Sequence, residues 1–364
     1  MPLPAILENV SLAPRTTLSV GGPARFYAEP RSPAAVRAAL EWARERAIAV
    51  RVLGGGSNLL VADRGVAALV LGVHITGVDV YTSPDAVHVT AGAGEPWDPF
   101  VERAVDSGWA GLECLSGIPG KVGATPIQNV GAYGQDVSET IERVDAIDRA
   151  TAEPVTFSAR ECAFAYRDSA FKHALADRFV LTSVTFRLTP GGAPALRYAE
   201  LTRALAGAPS PTLAQVRATV IALRRSKSMV FDPADENHRS AGSFFTNPLV
   251  TEPQLAAARE AARPLLRAGE KIPEFPAEPG LTKLSAGWLI ERAGFPRGTH
   301  EGAVGLSTRH ALAIVNRGSA TAADIVAFAT RIKRGVFETF GVSLVPEPVL
   351  LGFEPEETAA LLAR

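Results

Sequence analysis

At 364 residues, with 47% hydrophobic and 21% charged residues, the chain is long enough for two or three domains and too apolar to be disordered. A formal net charge of −1, without a basic tail or a block of like charges, argues against nucleic acid or an anionic membrane as the main partner. No apolar run reaches the ~18 residues that a membrane helix needs, and two distant cysteines, Cys114 and Cys162, exclude a disulfide framework.

The opening stretch MPLPAILENVSLAPRTT lacks the cationic head and apolar core of a signal peptide, so a cytoplasmic chain is expected. Ser32 and Pro33 suit the N-cap and first position of a helix, and Val36, Ala39, Leu40 and Ala43 mark its buried face as far as Ala47. A strand over 48–53 follows, then three glycines, a short apolar run, and another apolar run over 67–71. Alternation over 87–90 predicts a strand, the turn AGAGEP follows it, and a helix is expected over 97–107.

From 108 to 137 the chain is glycine-rich without being repetitive, and a loop of that length inside a domain is usually functional. Strands are expected over 141–149, 153–157 and 179–188, and a helix over 211–226. A third region, 229–345, opens with a polar loop and carries helices near 253–267, 284–293 and 322–340, the last two ended by Gly294 and Gly341. The chain shows no internal repeat. The six histidines are scattered, so no zinc site is expected, and both cysteines read as small buried apolar residues.

The stretch RVLGGGSNLLVADRG, starting at Arg51, raises the question of a phosphate-binding turn. A dinucleotide turn of the G-x-G-x-x-G kind must run straight into a helix, and no helical pattern follows Gly54-Gly55-Gly56. Gly92-x-Gly94 fails as well, because Trp97 stands at the third glycine position. A P-loop fails because Gly120-Lys121 continues with Val122. What remains is a strand–glycine loop–strand whose amides could form an anion-binding nest. The residues alone leave a ligand-free tight turn equally open.

The segment GIPGKVGATPIQNVGAYG (117–134) closely resembles a signature of the UDP-N-acetylenolpyruvoylglucosamine reductases, flavoenzymes of peptidoglycan precursor synthesis. YRDSAFK (166–172), AGSFFTNP (241–248) and LSAGWLIERAG (284–294) match in the same order, as do VGGPA (20–24) and GGGSNLL. The likeness covers nearly the whole chain, apart from about 1–14 and 352–364. It implies an α+β protein: a two-subdomain FAD-binding fold of the vanillyl-alcohol-oxidase type, with a smaller α+β substrate-binding domain. The expected divisions are 1–72 and 73–228 for the two FAD-binding subdomains, with 346–364 joining the first, and 229–345 for the substrate-binding domain.

In this resemblance the FAD pyrophosphate lies on Gly54, Gly55, Gly56, Ser57 and Asn58, without a Rossmann helix. The second loop contributes Gly117, Ile118, Pro119, Gly120, Gly123 and Ala124, then Gln128, Asn129, Gly131, Ala132 and Tyr133. Neither loop holds a histidine or cysteine, so FAD is expected to be non-covalent.

The implied reaction reduces the vinyl group of UDP-N-acetylglucosamine enolpyruvate to a lactyl ether. NADPH reduces FAD, hydride passes to the terminal vinyl carbon, and a proton must reach the neighbouring carbon that bears the carboxylate. The resemblance gives Ser243 the role of proton donor, Arg167 the grip on the substrate carboxylate, and Glu347 the stabilisation of the enol. On the residues alone, Ser243 reads as a serine in a turn after Gly242. Arg167 reads equally as an ion-pair partner of Asp168 or another acid, and Glu347 as a solvated acid.

Tyr198 resembles a tyrosine that, in one subclass, folds over the substrate diphosphate, and Lys227 would meet the same phosphates or those of NADPH. A helix-end cation meeting the C-terminal dipole is the alternative for Lys227. Motif position also brings Tyr133, Asn247 and Lys283 to the substrate. Pro348 and Leu350 depart from the family pattern, and Thr246 stands where many members carry lysine. No metal is implied, and a monomer is expected. Another soluble FAD oxidase would share the glycine loops but not the ordered Arg167, Ser243 and Glu347. A flavin-binding homologue that has lost activity would not need those three residues.

Overall fold

The computed structural model describes residues 3–363. They form two compact units. The first comprises residues up to Val10, Ala24–Gly56 and Ala67–Phe231; the second comprises Ser11–Pro23, Ser57–Val66 and the chain from Asp232 onward.

The first unit contains two larger sheets and a two-stranded pair. In the first sheet the strands run in the order Leu7–Ser11, Pro23–Ala28, Val66–Gly72, Val50–Leu53, with the last two parallel. The helix Pro33–Glu45 starts where Ser32 accepts the Ala35 amide at 3.1 Å, with Pro33 pre-set for the first turn. Its Val36, Ala39, Leu40 and Ala43 pack on Leu69, Leu71 and Val50.

The second sheet is antiparallel, in the order Pro154–Ser158, Ile141–Asp148, Phe179–Pro190, Val87–Gly92, Val78–Thr82. Its apolar face buries Trp97, Phe100 and Val101 of the helix Trp97–Asp106 against Val89, Val184 and Phe186. A further helix, Leu213–Ser226, opens on a capping box between Thr212 and Gln215. The edge strand Val78–Thr82 was not expected from the sequence: its Val78-Asp79-Val80 alternation is short, and four of its five residues are exposed, Val80 and Tyr81 among them.

The glycine-rich stretch 108–137 is a chain of short elements. It contains 3-10 turns at Glu113–Leu115 and Val122–Ala124, a single helical turn Thr125–Gln128, and the strand pair Gly131–Ala132 with Gln135–Asp136. Both cysteines are fully buried, and burial pushes their thiols up to about 12 and about 11.

The second unit is built around the helix Ala322–Phe340, which runs from the Thr321–Asp324 capping box to Gly341 in the left-handed region at φ 66°. Ile325, Phe328, Ala329, Ile332 and Val336 form its buried stripe, packed with Leu289, Ile290, Leu306 and Ile314. Two three-stranded antiparallel sheets flank it, Leu249–Thr251 / Leu281–Leu284 / Glu274–Pro276 and His300–Glu301 / Val304–Leu306 / Ile314–Asn316. The strand after the glycine triplet, Leu59–Val61, runs parallel to Val349–Leu351 in this unit. Residues 346–364, expected beside the first subdomain, cluster with this unit. The helix expected over 253–267 ends earlier, as Glu252–Ala262 followed by a 3-10 turn at Arg263–Leu265. No helix among the described residues is long and apolar enough to cross a membrane.

The register of the long helix is testable by two phenylalanines nine positions apart. Phe328 is 1% exposed and Phe337 is 55% exposed. Phe328→Ala is expected to cost about 3–5 kcal/mol and Phe337→Ala to stay within about 0.5 kcal/mol, read from urea midpoints. Equal costs would overturn the register.

Candidate functional site

The two glycine loops touch within the first unit. A Cβ on Gly55 would sit 2.7 Å from Gly120 Cα, so the backbones approach as only glycine allows. At Gly54 an added Cβ would meet only Ala124 Cβ, at an ordinary 3.7 Å. Gly123 packs its α-carbon onto Ala93 and donates its amide to Ala93 O at 2.9 Å. Val122 donates to Glu95 O, and Ala124 to Lys121 O. The amides at 122–124 are thus used inside the protein, and Gly123 contributes close packing rather than a donor. The Gly117 amide is also engaged, by Asp98 Oδ1 at 2.6 Å.

Asp98 holds Arg217 through both carboxylate oxygens, at 2.6 and 3.0 Å. Burial raises the Asp98 carboxyl, but the Arg217 bonds and charge and the Gly117 amide outweigh it and hold it below its ordinary value. The fork ties the helices Trp97–Asp106 and Leu213–Ser226 together and fixes the start of the second glycine loop between them. Two turns further along the second helix, Arg224 is buried beside Gly117; its Nη2 donates to Met229 O at 2.6 Å. Its Nε has no hydrogen-bond partner among the described residues, and burial pulls its pKa down to about 10, still charged at neutral pH. Sequence reasoning passed over Arg224 because it reads as one cation in the run RRSK.

The motif segments 117–134 and 166–172 are laced together by side chains. Asn129 Nδ2 donates to Ala165 O (2.8 Å), Ser169 Oγ to Ile127 O (2.7 Å) and Lys172 Nζ to Gln128 Oε1 (3.4 Å). Arg167 has φ 54°, in the left-handed region that non-glycine residues rarely adopt. Its guanidinium donates to Asn129 O (3.3 Å), Asp136 Oδ1 (3.2 Å) and Gly131 O. Its acid partner is Asp136, while Asp168 pairs with His173 at 2.7 Å. A Cβ on Gly131 would overlap Asp136 and the Arg167 guanidinium, so the glycine makes room for this ion pair.

Three of the expected substrate residues meet in the same unit. The Tyr133 ring stands edge-on to Tyr198 at 5.5 Å, and Lys227 Nζ lies 5.8 Å from the Tyr133 centroid. Lys227 is the C-cap residue of its helix and also pairs with Glu200 at 2.6 Å. Burial raises the Tyr133 phenol to about 12, so it stays protonated. The segment that leads into Tyr198 is anchored at Ala195. There the fully buried Glu113 accepts the amide at 2.8 Å and Cys114 Sγ donates to the carbonyl at 3.2 Å.

In the second unit, Ser243 and Glu347 lie on adjoining extended segments. Thr246 donates its amide to Val345 O (3.0 Å) and Glu347 donates its amide to Phe244 O (2.9 Å), a short antiparallel pairing centred on Phe245 and Pro346. Ser243 directly precedes this pairing, after Gly242 at φ 72°. Asn58 joins the same edge: its Nδ2 donates to Glu347 O at 3.3 Å, and its carbonyl accepts the Val349 amide at 3.0 Å. Asn247 instead accepts the Ala286 amide at 3.0 Å and holds the start of the helix Ala286–Arg292. Lys283 sits mid-strand, opposite Leu249 and Phe275. Among the described residues no group of three or more His, Cys, Asp or Glu could hold a metal.

Residues 24–158 of this α+β frame match the FAD binding domain family, which makes the chain a flavin-binding protein. Residues 232–351 match the UDP-N-acetylenolpyruvoylglucosamine reductase C-terminal domain. The UDP-N-acetylenolpyruvoylglucosamine reductase of Thermobifida fusca is 49% identical over 351 residues, covering 95% of this chain and 98% of the relative. That of Mycobacterium tuberculosis is 47% identical over 360 residues, covering 95% of each. The crystal structure of the Thermus caldophilus enzyme superposes with a TM-score of 0.65 at 25% identity, covering 96% of this chain and all of that one. This chain belongs to the UDP-N-acetylenolpyruvoylglucosamine reductase family. It is a flavin oxidoreductase of peptidoglycan precursor synthesis, with FAD as its cofactor.

The glycine geometry separates packing from cofactor contact. Gly54→Ala is expected to keep the apoprotein's urea midpoint while lowering FAD content, because its Cβ meets no protein atom closely. Gly55→Ala is expected to lower the apoprotein midpoint as well, since the clash is with Gly120 backbone. If Gly54→Ala retained full FAD occupancy and affinity, the first loop would not be the cradle.

Proposed function

We propose that this chain reduces UDP-N-acetylglucosamine enolpyruvate to UDP-N-acetylmuramate with NADPH as reductant. The observation that carries this reading is the hydrogen-bonded adjacency of the Ser243 and Glu347 segments, on which a proton donor and a carboxyl can serve one reacting carbon. The open Cβ position at Gly54 and the orphan Nε of buried Arg224 beside Gly117 fit a flavin held by the loops 54–58 and 117–134. Neither loop offers a histidine or cysteine for covalent attachment. FAD supplies hydride transfer from NADPH to the vinyl carbon when bound.

The chain's own residues then place and protonate the substrate. Arg167 grips the carboxylate; its planar fork is oriented by Asp136 and by the Asn129 and Gly131 carbonyls before substrate arrives. As hydride reaches the terminal carbon, negative charge grows on the carboxylate side, and Arg167 with Glu347 stabilises that enol. Ser243 Oγ gives its proton to the carbon bearing the carboxylate. A serine is a weak acid, but the acceptor is strongly basic and held within contact distance.

Tyr198, Tyr133 and Lys227 take the diphosphate, with Asn247 and Lys283 toward the rest of the substrate. In this reading 1–72 and 73–228 act as the two FAD-binding subdomains and 229–345 binds substrate, and the two larger sheets of the first unit, one built from strands that end by Gly72 and the other from strands that start at Val78, support the first division. A monomer working in the cytoplasm fits a nucleotide-linked substrate and two reduced cysteines.

Ser243 acts in only one half-reaction, which makes it the sharpest test. In Ser243→Ala, NADPH should bleach the flavin at near wild-type rate without air. Reoxidation by the enolpyruvyl substrate should slow by at least ~10²–10⁴-fold, as expected for loss of a positioned acid. Ser243→Cys should recover part of the loss. Rapid-mixing absorbance records both steps, and normal turnover by Ser243→Ala would place the donor elsewhere.

Arg167→Lys keeps the charge but not the fork. It should slow substrate reduction much more than flavin reduction by NADPH. Equal loss in both steps would mean that Arg167 serves the fold or the flavin.

A further inference from the structure

The cluster of Tyr133, Tyr198 and Lys227 contains a charge that the reaction above does not use. Glu200 stands two residues after Tyr198, in the first turn of the short helix Ala199–Ala204, and its Oε2 is 2.6 Å from Lys227 Nζ. Both side chains are 32% exposed, so the pair is neither locked in the core nor fully screened by water. The ammonium also stands over the Tyr133 face, 5.8 Å from its centroid, and Tyr198 is edge-on to Tyr133. One carboxylate therefore neutralises the cation that the reading above assigns to phosphate.

We propose that Glu200 is an intramolecular competitor for Lys227, displaced when the diphosphate of a nucleoside diphosphate ligand arrives, and that it sets how readily anions occupy this corner of the site. The inference rests on the proposed role of Lys227 as a phosphate contact. A ligand oxygen that takes Lys227 must break the ion pair and also approach the Glu200 carboxylate. Every anion meets that handicap. A ligand that also gains contacts elsewhere in the site overcomes it, while a small free anion that has only Lys227 to gain does not. Glu200 would thus keep the corner from filling with inorganic phosphate or pyrophosphate.

The handicap is modest, because half-exposed pairs are weak: about two- to fivefold in affinity. It should also shrink at high salt.

The test is calorimetric titration of the oxidised holoenzyme with UDP and, separately, with inorganic pyrophosphate. E200Q should bind both about two- to fivefold more tightly than wild type, and more so at low salt. K227M should bind both more weakly, and E200Q added to K227M should bring no gain. E200A is the second variant, free of any new amide contact, and should show the same sign.

If K227M weakens binding but E200Q and E200A do not tighten it, Glu200 is not a competitor, although Lys227 still meets phosphate. If the gain from E200Q persists in the K227M background, the effect is a general field and not competition, which also overturns the proposal. If K227M binds UDP like wild type, the phosphate role of Lys227 fails first, and the proposal fails with it.

Discussion

Backbone that lies outside helices and ladders must still pair its N–H and C=O groups, and in the first unit side chains take on that task. Asp98 receives Gly117, Asn129 spans to Ala165, Ser169 to Ile127, and Glu113 receives Ala195. Each bond fixes one irregular segment at one point, and each fixed point lies within a few residues of a proposed ligand contact. Asp98 can do this because Arg217 grips it from the neighbouring helix. The strained φ of Arg167 persists for the same reason: three acceptors hold its guanidinium, so the surroundings over-determine the backbone. A lysine there would keep the charge but lose the plane that those acceptors define.

The glycines divide by what a Cβ would meet. Gly55 and Gly123 let one backbone lie on another, Gly131 leaves room for the Arg167–Asp136 pair, and at Gly54 a Cβ would make only an ordinary contact with Ala124. Close packing inside the protein accounts for the first three and not for Gly54. In the second unit the corresponding order comes from main-chain pairing. Asn58 and the residues around Phe245 bind the Glu347 segment on two sides, so Ser243 and Glu347 owe their adjacency to backbone bonds.

Much of the frame was legible because its signals are local. Ser32-Pro33, Thr212 with Gln215, and Thr321 with Asp324 and Gly341 announce helix ends through residues that satisfy orphan amides nearby. Three-residue strands such as Glu274–Pro276 and Leu249–Thr251 carry too few positions for any period to show, and their pairing is set by distant partners. The edge strand Val78–Thr82 leaves Val80 and Tyr81 exposed, and its apolar alternation is too short to mark a buried face. The same contrast holds in the site. Arg167, Ser243 and Glu347 stand out through the motifs that hold them, while the long-range partners of Asp98, Glu113 and Asp136 lie 19 to 119 residues away and Arg224 is set apart by burial. Those distant partners leave no mark in the local sequence. Asn247 shows the reverse: it lies in a motif, yet its visible bond is a helix start.

Charge pairing explains why the composition shows no basic excess. Arg167 is matched by Asp136, Lys227 by Glu200, and Arg217 by Asp98 and Glu102, so each cation enters the chain's balance beside an acid. A net charge of −1 is what such pairing leaves, and it says nothing about local potential. Arg224 is held differently: its Nη2 donates to a carbonyl and its Nε has no partner among the described residues, and Lys121 Nζ likewise donates to the Val73 carbonyl. A buried guanidinium kept at the expense of desolvation, without a carboxylate in hydrogen-bond reach, supplies positive potential beside Gly117 at all times. The paired cations can supply theirs only when a ligand takes the place of an acid. The first unit thus carries buried positive charge at Arg224 beside Gly117, apart from the cations that acids match.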